Sequence, residues 1–310
     1  MAITAGMVKE LREMTGAGMM DCKKALANTD GDMDKAVEYL RENGMAKAAK
    51  KAGRIAAEGI VKTVVEGTKA AIVEVNSETD FVAKNADFNA YVEDVAAQAL
   101  TTKAADIDAF LAESWNKDSS KTVADALAGQ IAVIGENLKI RRFAQLEEAN
   151  GFIASYIHMG GKIGVLVDVE TDVVNPAIEE MARNVAMQAA ALKPQFTSRD
   201  EVDEAFIEHE KSILMAQIQN DPKEASKPEK VIQGMIQGRI NKELKEFCLL
   251  DQVYVKAEDG KQSVAQYVAA VAKANNADVK IKKFVRFETG EGLEKKNEDF
   301  AAEVAAQMGK

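Results

Sequence analysis

Histidine is nearly missing from this 310-residue chain, which has only His158 and His209. General acid–base, nucleophilic and metal-assisted chemistry all lean on histidine, so two isolated ones supply such sites poorly. Cysteine is equally scarce. Cys22 and Cys248 stand in no metal-ligand or disulfide-framework spacing and read as unpaired thiols of a reducing compartment. There is no phosphate-cradling glycine loop followed by lysine and Ser/Thr, and no dinucleotide fingerprint. Gly290-Glu291-Gly292 is too short and too acidic for a phosphate, and His158-Met159-Gly160-Gly161 resembles an oxyanion loop without the serine elbow that should accompany it. The expectation is a protein that is not an enzyme and holds neither metal nor cofactor.

Long hydrophobic runs are absent too. None reaches the roughly 20 residues of a membrane span, and Met1-Ala2-Ile3-Thr4-Ala5 lacks the segments of a signal peptide, so a cytoplasmic protein is expected. Fifty acidic residues against 40 basic ones give a formal charge of -10, which repels nucleic acid and anionic membranes as direct partners. Four prolines leave little to interrupt helices. What is present is an ordinary 47% of hydrophobic residues, enough for two or three domains.

Apolar residues recur at helical spacing in Val8 and Leu11, in Cys22, Ala25 and Leu26, and in Met33, Ala36, Val37 and Leu40. That predicts three short helices in the first 44 residues, with Thr4 and Asp32 capping starts and Gly16 and Gly44 placed at ends. The same spacing favours the core for one of Met19 and Met20, while a Met-Met pair beside Gly18 also fits an exposed contact patch. The basic stretch Lys47 to Arg54 has no interleaved aromatic to stack on bases, and reads as a solvated helical arm.

From residue 55 the pattern turns to β-branched runs. Ile60 to Val65, the turn Glu66-Gly67-Thr68-Lys69 and Ala70 to Val75 predict a hairpin, followed by a helix carrying Phe88, Tyr91, Val92 and Val95 on one face and later a strand from Leu138 to Leu146. The order then repeats. Val73 to Val82 is echoed by Val167 to Val174, Val95-Ala96-Ala97-Gln98-Ala99 by Val185-Ala186-Met187-Gln188-Ala189, and Leu138 to Phe143 by Val279 to Phe284. The expected fold is α+β: a three-helix module with its linker over 1–54, two related antiparallel-sheet and helix units over 55–147 and 148–288, and a C-terminal helical module over 289–310 whose helix runs from Glu298 to Met308. An insertion at about 199–247 reads as an antiparallel helical hairpin, with a homodimer seam as the alternative use of its apolar face.

The most informative segment is the strand-to-helix corner Thr79-Asp80-Phe81-Val82. Matched by letters to Thr171-Asp172-Val173-Val174, it shares its Asp, while Phe81 stands against Val173. Two readings compete. Either Asp80 caps a helix and Phe81 fills a core pocket, or Phe81 is held out for a partner.

Several stretches carry a family resemblance: Val8 to Arg12, Thr15 to Leu26, Glu78 to Asn85, Ile134 to Asn137, His158 with Gly160 to Val167, and Phe287 to Glu294. With these the sequence closely resembles the bacterial elongation factor Ts family over essentially its whole length. The resemblance implies that the opening module is like a ubiquitin-associated domain. It implies a guanine-nucleotide exchange factor in translation that binds elongation factor Tu, GDP-bound and nucleotide-free, and disturbs its Mg2+ site through Thr79, Asp80, Phe81 and Val82. It also implies contact roles for Arg12, Met19, Met20, Lys23, Ile134, Gly135 and His158. Lys162 stands where the family commonly has arginine, and Asp251-Gln252-Val253-Tyr254-Val255 replaces a commoner form with proline and phenylalanine. The rival from another class is a cytosolic protein-binding adaptor without exchange activity.

Overall fold

The computed structural model describes residues 3–294, and the predicted helix Glu298 to Met308 lies outside them. Three helices open the chain: α1 (Ala5–Thr15), α2 (Met19–Asn28) and α3 (Met33–Lys51). Thr4 and Asp32 accept hydrogen bonds from Met7 N and Lys35 N as helix caps, and Gly16 ends α1 with φ 67°. Gly44 does not end a helix. It is buried within α3, where a Cβ would come 3.7 Å from the Ala128 carbonyl oxygen and 3.8 Å from Ala132 Cβ. The missing side chain serves close packing between helices, which sequence spacing cannot distinguish from a terminal glycine. Met19 and Met20 are also both exposed, because the core of the three helices is closed by Val8, Leu11, Cys22, Ala25, Leu26 and Ala36.

The first core unit runs β1 (Glu58–Glu66), β2 (Lys69–Ser77), α4 (Asp80–Ala83), α5 (Ala86–Thr101), α6 (Ile107–Ala112), β3 (Ser114–Trp115), β4 (Asp118–Thr122), α7 (Val123–Ile134) and β5 (Lys139–Glu147). The short β3–β4 ribbon is too brief to leave an alternating pattern. The second runs β6 (Gly151–His158), β7 (Ile163–Thr171), α8 (Pro176–Leu192), α9 (Glu204–Gln219), α10 (Pro222–Ala225), α11 (Glu229–Phe247), α12 (Val264–Ala274) and β8 (Val279–Glu288). Both sheets are three-stranded and antiparallel, ordered β1-β2-β5 and β6-β7-β8. Leu214, Ile218, Ile236 and Ile240 of α9 and α11 bury one another.

The duplication is visible at single residues. A bulge falls between Glu74 and Val75 in one sheet and between Asp168 and Val169 in the other. Gly59 opposite Asn76, and Gly151 opposite Glu170, each lack a Cβ that would strike a carbonyl of the neighbouring strand. Alternation along β2 sends Ala71, Val73 and Val75 toward α5, while Ala70 and Ile72 turn to the other sheet and meet Ile153, Leu166 and Phe287. Val165, Val167 and Val169 pack likewise on α8. The result is two sheets face to face with a helix layer outside each, so both faces of every central strand are buried.

Each central strand also sends one acid into the layer between the sheets. Glu74 is fully buried and accepts from Arg141 Nη1 (3.0 Å), Arg142 Nε (2.5 Å), Asn76 Nδ2 (3.0 Å) and the Gly290 backbone N–H (2.8 Å). The Arg142 guanidinium lies 4.3 Å from the centroid of the Phe287 ring, which belongs to the other sheet. Asp168 occupies the equivalent place, but its Oδ1 has no partner among the described residues. Its neighbour Glu148 is bonded to Lys282 Nζ (2.8 Å) and the Asn150 N–H (2.7 Å), and Glu170 lies 3.7 Å from the same lysine.

Burial and the Glu148 carboxylate push Asp168 up to about 6, while the Lys282 ammonium holds Glu148 down to about 2. Folded Asp168 therefore keeps a proton that the unfolded chain releases near pH 4, so its contribution to stability falls as pH rises from about 4 to about 6 and stays lost above. Glu148 acts oppositely, its contribution being lost only as pH falls below about 4 toward 2. Asp168→Asn should flatten the decline between pH 4 and 6 and raise the melting temperature by a few degrees at pH 7, as read from thermal unfolding across that range.

Candidate functional site

At the end of β2 the chain must turn into α5, and the second copy performs the same turn between β7 and α8. The hydrogen bonds fix which residues correspond. Ser77 Oγ donates to the Thr79 carbonyl (2.9 Å) as Thr171 Oγ1 donates to the Val173 carbonyl (3.0 Å). Glu78 Oε1 accepts from Asn137 N (2.6 Å) as Asp172 Oδ1 accepts from Asp278 N (2.8 Å). Asn85 then caps α5 as Asn175 caps α8. Between strand and helix the first copy is thus four residues longer, and α4 is four residues long.

This corrects the pairing by letters. Asp172 answers to Glu78, not to Asp80, and Phe81 has no counterpart, since Val173 follows Asp172 directly and packs partly into its own core. The Thr-Asp letters coincide without occupying the same place. Asp80 is not the cap either. Thr79 caps α4, its Oγ1 accepting from Val82 N at 3.4 Å.

Thr79 is held in turn by Glu136, just after α7. Glu136 Oε2 accepts from the Glu78 and Thr79 N–H groups, both at 3.0 Å, and Oε1 accepts from the Thr79 hydroxyl at 2.7 Å. Bonds to a carboxylate are the strong kind, and two acids clasping opposite backbones leave this corner little freedom. Val82 and Ala83 pack inward on the first core. Phe81 is left 80% exposed, which excludes the reading as a core aromatic. Asp80 is half exposed and accepts from Lys84 Nζ at 2.6 Å; that bond, with the nearby Lys162 charge, holds its carboxyl below the usual carboxylate range. The four residues divide into two that build the turn and two that project from it.

Neighbouring segments share this end of the molecule. Ile134 closes α7, and Gly135 caps it with φ 87°, delivering the chain to Glu136. His158 ends β6, its Nδ1 2.9 Å from the Tyr156 hydroxyl. The turn after it packs on β1, where Lys162 pairs with Glu58. Arg12, Met19, Met20 and Lys23 are elsewhere, exposed on α1 and α2. Their module joins the core through α3 on α7, with Arg41 paired to Asp125. Among the described residues, no group of three His, Cys, Asp or Glu side chains is placed to hold a metal ion.

Sequence reading missed Glu78 and Glu136 as the residues that set the corner. Glu136 stood in a recognised stretch, but its purpose appears only when the fold brings it to Thr79. Glu136→Ala should cost about 1–3 kcal/mol by leaving three donors without this partner. It should also speed hydrogen exchange at the Glu78 and Thr79 amides by about tenfold or more, whereas unchanged exchange would mean the corner is fixed by other contacts.

Comparison with known proteins returns one family, described as Elongation factor TS, whose sequence model matches residues 78–291. Elongation factor Ts of Clostridium botulinum (strain Eklund 17B / Type B) is 52% identical over 310 residues, covering 99% of this chain and 100% of that protein. The protein of that name from Clostridioides difficile (strain 630) is 52% identical over 308 residues, with 99% of each covered. The one from Clostridium perfringens (strain 13 / Type A) is 50% identical over 310 residues, covering 99% of this chain and 100% of the other.

Proposed function

The chain belongs to the elongation factor Ts family, and on that premise we propose that it serves translation as the guanine-nucleotide exchange factor of elongation factor Tu. It binds the GDP-bound GTPase, disturbs the Mg2+ site, and holds the nucleotide-free form after GDP leaves. No covalent step is involved. The observation that carries this reading is Phe81, 80% exposed on a turn that the duplicate unit lacks.

The physical requirement on such a factor is differential binding. Nucleotide and factor oppose one another reciprocally, because any weakening of GDP by the factor is an equal weakening of the factor by GDP. A preference of about 10⁴ for the empty GTPase needs about 5.5 kcal/mol. Phe81 supplies part of it, since burying a large aromatic is worth roughly 1.5–3 kcal/mol, provided its pocket opens only in the displaced state. Asp80 beside it repels phosphate and competes for the water and side-chain ligands on which Mg2+ depends.

The other contacts rest on the family resemblance. We assign Arg12, Met19, Met20 and Lys23, all exposed on a module we read as similar to a ubiquitin-associated domain, to a second area of the GTPase. Ile134, Gly135 and His158 flank the wedge. The α9–α11 pair reads as an antiparallel arm most of whose apolar residues pack against one another, while Ile213 and Val231 stay exposed. No helix among the described residues is long and apolar enough to cross a membrane, and the partner's work in protein synthesis assigns the factor to the cytoplasm.

Release of a fluorescent GDP analogue from elongation factor Tu tests the reading. Wild type should accelerate it, Phe81→Ala should lose about 10- to 100-fold of the acceleration, and Asp80→Ala should lose less. Stimulation by both variants equal to that of wild type would overturn the wedge. Binding of wild type without any release would identify an adaptor instead.

A further inference from the structure

The two hairpins of the duplicated core close differently. Gly67 and Thr68 turn the first, whereas the second uses the longer loop from Met159 to Lys162. Three successive residues of that loop have positive φ: Met159 at 48°, Gly160 at 64° and Gly161 at 101°. Glycine adopts this region freely; a residue with a Cβ does not. The other non-glycine residues so held among the described residues, Asp30, Lys193 and Asn276, are polar and sit just past helix ends, where such a conformation terminates a helix. Met159 is the apolar exception.

Packing does not account for it, because Met159 is 73% exposed. The rest of the loop is fixed. The Thr289 N–H donates to the Lys162 carbonyl (2.9 Å), the Thr289 hydroxyl donates to the Gly161 carbonyl (3.2 Å), and a Cβ on Gly161 would lie 3.0 Å from Ile60 Cβ. Lys162 pairs with Glu58, and Glu58 stands opposite Ser77 at the entrance to the corner. The loop is thus seated on β1, with Lys162 near enough to Asp80 of α4 for its charge to act there, and one large flexible apolar side chain is held out in an unfavourable backbone conformation. Phe81 and Met159 each stand in a short turn that is longer in one copy than in the other.

We infer that Met159 is a second apolar contact of the docking end, bound by the same GTPase beside Phe81; this rests on the exchange-factor reading above. Strain retained at an exposed residue fits a contact role, since nothing inside the protein gains from it. A methionine side chain adapts its shape to the surface it meets. Because Met159 lacks the neighbouring carboxylate that accompanies Phe81, it strengthens association without displacing Mg2+.

Three variants separate contact from strain. Met159→Gly removes both side chain and strain, Met159→Ala removes the side chain and keeps the strain, and Met159→Leu keeps apolar bulk. In the GDP-release assay, Met159→Gly and Met159→Ala should each raise the factor concentration for half-maximal acceleration about 5- to 20-fold with a nearly unchanged plateau, and Met159→Leu should restore most of it. In thermal unfolding only Met159→Gly should gain, by about 1–3 °C. Wild-type release with all three variants matching it would overturn the inference. So would a gain in melting temperature for Met159→Gly with its release curve unmoved, since that is the signature of strain alone. Failure of wild type itself to accelerate release would instead bring down the exchange-factor reading.

Discussion

A carboxylate sealed between two sheets holds this molecule to its form. Glu74 is fully buried, and two arginines, an amide and a backbone N–H supply the hydrogen bonds that its carboxyl oxygens would otherwise take from water. Those donors come from both halves: Arg141 and Arg142 from its own sheet, Gly290 from the segment after the last strand of the other. Arg142 also lies over Phe287 across the interface. Removing any one donor leaves a buried charge short of partners, so the halves are tied by the cost of separating them as well as by the apolar layer around the pair.

That rigidity gives the corner its meaning. A wedge that yields when pressed does no work on its partner, and a four-residue turn has little stability of its own. Here the turn is set between a strand buried on both faces and a helix capped by Asn85, and Glu136 grips its first residue from a third element. The backbone at the start of α4 is fixed by Glu136 and Thr79, which leaves the Phe81 side chain free to be chosen for a partner. The long hairpin loop of the second unit follows the same plan, with Thr289 and Glu58 fixing the parts that do not project.

Much of this was legible before any coordinates. The period of two in Val279 to Phe284, the helical spacing after Asn85 and the ordered echoes between the halves led to two related sheets with helices, because burial on alternate faces writes itself into local sequence. Glycines were harder. Gly16 and Gly44 look alike in sequence, yet one ends a helix and the other lets two helices touch, and the difference lies in residues some 85 positions away. The corner was found but misaligned. Phe81 belongs to an insertion, and only the paired bonds of Glu78 and Asp172 show where the insertion begins. Glu136 was hidden for the same reason, since its partners are distant in sequence.

The position of Gly290 carries a consequence for how the chain is made. Synthesis runs from the N-terminus, so the strands of the first sheet are complete once Glu147 has been added, while the β7 edge that receives β8 waits for the whole stretch from α8 to α12. During that interval Glu74 already has its arginines but lacks the N–H that closes its shell. The first unit therefore reaches its final form only when nearly the last described residues arrive. A chain that stops before Gly290 leaves the Glu74 carboxyl at the centre of the molecule without one of its four donors.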